Sequence, residues 1–314
     1  MRVDALMQAE RFYLADGGLE TFMIFIEGFE LPSFSAAVLL QTEAGRAALA
    51  RYFERHIALA RDSGRGFVLD TPTWRAGAAW AGALGLDEAG IRAVNARAVA
   101  EMAAIRARHE TASLPIVLNG VIGPAGDGYA PDEMLSPETA EAVHRPQIEA
   151  LGQGGVDMVS AVTLTHAGEA IGIARAAKAI SLPVALSFTL ETDGRLPSGQ
   201  PLGDAIAEVD DATDGAAIYY MINCAHPDHF RDVLRTRASW IRRIGGLRTN
   251  ASRMSHAELD AAESLDDGDP VELGELHGAL FALLPDLRVV GGCCGTDHRH
   301  VGCIAHLERD HAAA

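Results

Sequence analysis

Two cysteines stand side by side at positions 293 and 294, inside the run VVGGCCGTDH, and a third, Cys224, closes the run MINC ahead of AHP. The chain has only four cysteines. A disulfide between neighbours needs a strained ring and staples almost no chain, so it is a poor reason for the pair. Two readings remain: small, buried hydrophobes, or soft ligands for a metal. Three thiolates select zinc among divalent metals and leave one tetrahedral position open, as a substrate site requires and a structural site does not. The gap between Cys224 and the pair is not a zinc-finger spacing, so spacing alone does not choose. Adjacent side chains of a regular strand point to opposite faces. Gly291, Gly292 and Gly295 relax that restriction, because glycine tolerates unusual backbone angles.

The elements that must position these thiols are legible as short apolar runs alternating with helical patterns. Strands are predicted at 12–18, 66–73, 115–123, 156–164, 183–190, 217–225, 240–247 and 287–295. Their nearly continuous apolar character suits parallel strands covered on both faces. Helices are predicted after Thr42 and after Ser136, each an N-cap, and in SRMSHAELDAA and HRHVGCIAHLER, the last capped by Thr296. Segments 22–40 and 125–136 lack a clean period and read as long loops. Eight strands alternating with helices predict an α/β fold, a (β/α)8 TIM barrel formed as a single domain over 1–314, ahead of a doubly wound open sheet.

In such a barrel the functional face lies at the C-terminal strand ends. There the sequence places Asp16 and Gly17, Thr71, Thr73 and Trp74, Asn119, Thr163 and Thr165, Thr189 and Glu191, Asn223 and Cys224, and Cys293 and Cys294. Cys303 falls on the following helix and reads as a core residue. His298 and His300 are rival ligands by type, but three thiolates suffice. No G-x-S-x-G nucleophile elbow and no phosphate-binding P-loop occurs.

Composition narrows the partners. The net charge is −17 and no basic run stands out beyond Arg235, Arg237, Arg242 and Arg243, so no nucleic-acid partner is expected. There is no apolar run of transmembrane length and no secretory signal, so a cytoplasmic protein away from membranes is expected. A homo-oligomer is compatible with the sequence, which does not set the oligomeric state.

The motifs DGGLET, DTPTWRAG, NGVIGPAGD, SFTLETDGRLPSGQPL, INCAHP and GGCCGTDHRH, spread from about residue 10 to residue 308, resemble the homocysteine S-methyltransferase family. The resemblance implies a (β/α)8 barrel in which Cys224, Cys293 and Cys294 bind zinc, and the zinc holds the thiolate of the methyl acceptor. It implies that Asp16 and Gly17 lie in the acceptor pocket, with Thr163 and Asn223 near the substrate. Trp74, with Thr73 at the pocket mouth, stands where relatives carry tyrosine or phenylalanine; its ring could stack on a cationic donor. One position departs from the pattern. Val162 stands where relatives carry a glutamate that holds the amino group of homocysteine, and a valine cannot pair with an ammonium.

The expected function is therefore a zinc-dependent S-methyltransferase acting on two small molecules. The methyl donor would be S-methylmethionine, S-adenosylmethionine or a betaine-like compound, since 314 residues leave no room for a cobalamin or folate domain. The acceptor would be a small-molecule thiol, homocysteine giving methionine. The alternatives are the same chemistry on another small thiol, and a non-catalytic barrel that binds zinc or thiols.

Overall fold

The computed structural model describes residues 1–129 and 134–307. Eight parallel strands close into a barrel in chain order: β1 Tyr13–Leu14, β2 Phe67–Asp70, β3 Ile116–Ile122, β4 Met158–Leu164, β5 Val184–Thr189, β6 Ala217–Asn223, β7 Ile244–Thr249 and β8 Val289–Gly292. The α-helices are α1 Arg2–Gln8, α2 Leu19–Phe25, α3 Glu43–Asp62, α4 Glu88–His109, α5 Pro137–Gly154, α6 Ala167–Ala179, α7 Leu202–Thr213, α8 Pro227–Leu234, α9 His256–Asp260, α10 Pro270–Phe281 and α11 His298–Ala305. The predicted TIM barrel is the observed fold. No helix among the described residues is long and apolar enough to cross a membrane.

Burial explains the apolar runs. Every residue of β2 and β3 is buried, because one strand face meets helices and the other meets the barrel interior. Inside the barrel, Tyr13, Val68, Val117, Met158, Tyr219 and Val289 pack near the strand starts. Val3 and Leu6 of α1 join them and plug that end. Towards the strand ends the interior turns polar. Asn119 there donates to Asp70 Oδ1 and to Ser160 Oγ, each at 2.7 Å.

Two predicted caps hold the expected helices: Thr42 accepts from Gly45 N at the start of α3, and Ser136 from Thr139 N at the start of α5. Several boundaries differ. The seventh strand runs over 244–249 rather than 240–247, because Ser239–Arg243 winds into a 3-10 turn. That turn points Arg243 at Asp210 and Arg242 at Asp286. Segment 22–40 is not a plain loop. It continues α2 and adds two short 3-10 turns, Pro32–Phe34 and Ala36–Gln41, whose Leu39 and Leu40 are buried in the core. Asp297, not Thr296, caps α11, its carboxylate accepting from Arg299 N. Part of the predicted loop 125–136 and the last residues of the predicted helix HRHVGCIAHLER lie outside the described residues.

Candidate active site

The strand ends bring the three expected cysteines together. β6 stops at Asn223, and Cys224 turns with φ +54°, its N–H donating to Arg248 O at 3.0 Å. β8 stops at Gly292, so the pair leaves the pleat before it is reached, and Gly295 at φ +80° turns the chain back. The alternation that would separate Cys293 from Cys294 therefore never applies. The turn is fastened by Cys293 N to Thr249 O at 2.8 Å and Ala251 N to Cys294 O at 3.1 Å. The three sulfurs lie within 4.8 Å of one another, and among the described residues no other trio of His, Cys, Asp or Glu converges this way. His300 is instead buried against Asp297 and Asp267 O, and Cys303 packs beside Gly274 of α10.

The cysteines lie on the wall of a cavity of about 420 Å³, with Asp16, Gly17, Trp74, Val162, Thr163 and Asn223 also on its wall. Thr73 departs from expectation. It is fully buried, and its hydroxyl is spent on Val121 O at 2.7 Å, so Thr71 lines the cavity in its place. Thr163 sits in a break of the β4–β5 register, with φ +66°. Asn223 holds that break: its Oδ1 accepts from Thr163 N at 2.9 Å and Ser187 Oγ at 2.6 Å. Its Nδ2 donates to Thr163 Oγ1 at 2.9 Å and reaches towards Cys293 Sγ at 4.0 Å. Trp74 donates to Val162 O at 3.3 Å, and the Arg75 guanidinium lies over its ring, 4.6 Å from the centroid.

Arg248, Tyr129 and Glu20 of this wall, and His256 behind Tyr129, escaped the sequence reading. Arg248, half-buried on β7, forms ion pairs with both Asp16 and Asp70. Tyr129 places its hydroxyl 3.0 Å from Cys224 Sγ and 3.6 Å from Cys294 Sγ. Its ring stacks at 4.1 Å on His256, whose two nitrogens face Glu191 at 3.1 Å and Cys224 O at 2.8 Å. Glu20, in the first turn of α2, also lines the cavity.

Electrostatics distinguish the three thiols. The thiols of Cys224 and Cys294 donate towards Cys293 and Arg248 adds positive charge, so Cys293 is held as the thiolate well below the usual range. Its partners are correspondingly pushed up. Burial raises Asp70 to about 6 even against Arg248, and raises Glu20 to about 8. Soft sulfur donors, three in number, facing a cavity are the donor set that a tetrahedral metal with one exchangeable position requires.

The model of the family described as homocysteine S-methyltransferase matches residues 13–307. Homocysteine S-methyltransferase of Escherichia coli (strain K12) is 34% identical over 148 residues, which span 44% of this chain and 47% of that protein. The alignment thus reaches about half the length of this curated relative. Among solved structures, the homocysteine methyltransferase MmuM from Escherichia coli superposes in its oxidized form with TM-score 0.76, at 22% identity over 97% of this chain and 98% of that one. Its metallated form gives TM-score 0.75, at 23% identity over 97% and 99%. With a match over nearly its whole length, the chain belongs to the homocysteine S-methyltransferase family.

Proposed function

We propose that this protein is a zinc-dependent S-methyltransferase that moves a methyl group from a small cationic donor to a small thiol, with homocysteine as acceptor and methionine as product. The observation that carries the reading is the convergence of Cys224, Cys293 and Cys294 on a cavity able to hold two small molecules. The three thiolates would hold the metal. Zinc held there would keep the acceptor sulfur deprotonated at neutral pH, where a free thiol is mostly protonated.

The remaining work falls to the chain. Asn223 Nδ2 orients Cys293, and Arg248 tethers Asp16 and Asp70 beneath it. The lining carries the carboxyl groups of Asp16, Asp70, Asp127, Asp260 and Asp266 against the guanidinium groups of Arg75 and Arg248. That excess of negative charge favours a sulfonium or quaternary ammonium donor over an anionic one. In the transfer, the acceptor sulfur forms the new S–CH3 bond as the donor's bond to that methyl breaks, its electron pair leaving with a neutral thioether or amine. No proton moves and no protein nucleophile is required. A second reading, another small thiol as acceptor, is favoured by the apolar Val162 on the wall.

The test is a matrix of donors (S-methylmethionine, S-adenosylmethionine, betaine) against thiols, read by mass spectrometry for the methylated product. Methionine formed from homocysteine and one of the cationic donors supports the proposal. Methylation of a different thiol alone selects the second reading. Bound zinc with no turnover anywhere in the matrix would make the protein a binding barrel.

A further inference from the structure

Resting on that function, we infer that Glu20 is the carboxylate that receives the acceptor's ammonium, replacing one that Val162 cannot supply. The argument is one of elimination within the cavity wall. Val162 offers only a methyl surface. Asp16 and Asp70 share the Arg248 guanidinium, and Asp70 also accepts from Asn119. Asp127 lies 3.8 Å from Arg75, and Asp266 accepts from Ser252. Asp260 is exposed at the rim. Glu20 is the remaining carboxylate of the wall, and no described cation forms an ion pair with it.

Its position suits an amino thiol. The first turn of α2 packs directly on the cysteine turn: Thr21 Oγ1 accepts from Gly295 N at 3.3 Å, and Gly18 lies so close that an added Cβ would come within 2.4 Å of Cys293 O. Glu20 lines the same cavity as Cys293 and Asp16. An α-ammonium three carbons from a sulfur held at the cysteines would pair with the Glu20 carboxylate. The acceptor class that follows is a thiol carrying an amino group, despite Val162.

The probes are homocysteine and 4-mercaptobutanoate, which lacks only the amino group, titrated calorimetrically into the zinc-loaded protein and compared in steady-state kinetics. Wild type is expected to prefer homocysteine. Glu20→Gln should weaken homocysteine about 10-fold in Kd and KM, with kcat and 4-mercaptobutanoate affinity nearly unchanged. Glu20→Asp should retain part of the preference, and Val162→Glu placed in the Glu20→Gln background should restore it. Equal weakening of both thiols by Glu20→Gln, or none, overturns the assignment. Wild-type binding of both thiols without preference overturns it as well, while leaving the proposed chemistry standing. Failure of wild type to bind any thiol overturns both.

Discussion

Cys303 and the three clustered cysteines are chemically alike, and position alone separates them. Cys224→Ala, Cys293→Ala and Cys294→Ala should each lose most bound zinc, because two thiolates hold the metal far more weakly than three; Cys303→Ala should keep about one zinc per chain. Metal analysis after gel filtration measures this, and full retention in the three single variants would remove the site. The thiols were legible in the sequence because soft donors at strand ends have few other uses. Tyr129 was not, since it lies in a glycine-rich stretch with no period to fix its direction. Arg248 had a signal that was missed: an arginine inside an apolar strand needs carboxylates, and Asp16 and Asp70 end two other strands. Setting the end of β7 at 247 left Arg248 just outside the strand, where such a need does not arise.

At the scale of elements, the site depends on how closely α2 approaches the turn after β8. Gly18 permits that approach, since a methyl group there would lie 2.4 Å from Cys293 O and 2.6 Å from Thr21 Oγ1. Gly18→Ala should therefore cost about 1–3 kcal/mol in unfolding free energy and weaken zinc retention against a chelator, as the turn shifts to make room. Gly82→Ala is the control, because nothing lies within 4 Å of an added Cβ there. Equal stability and zinc retention in the two variants would contradict the tight approach. The strands were readable because burial on both faces leaves continuous apolar runs. The 3-10 turn at Ser239–Arg243 was not, because its arginines interrupt that run without marking where the strand begins.

For the whole molecule, burial in the barrel wall sets a pH dependence. His56 and His277 are held near 4, below the ordinary value of 6.5, by burial that disfavours the imidazolium. The unfolded chain gains protons below about 6.5 that the fold refuses until about 4, so stability is full above 6.5 and falls across that window. Each imidazole contributes up to roughly 3 kcal/mol to the fall. Asp70, raised to about 6, and Glu20, raised to about 8, act in the opposite sense and offset part of it. Urea unfolding of the metal-free protein at pH 7 and 4.5 measures the loss. His277→Gln, which cannot titrate, should narrow the difference; an unchanged difference would contradict the assignment. The same barrel delivers Cys224 from one strand end and the Cys293–Cys294 pair from another to a single point, and that convergence is the centre of the account. Its most direct test is zinc-edge X-ray absorption on the zinc-loaded protein, before and after saturation with the thiol that the matrix shows to be methylated. The account predicts three sulfur neighbours and one lighter atom at rest, becoming four sulfurs with the thiol bound. A lighter ligand that persists at saturation would contradict it.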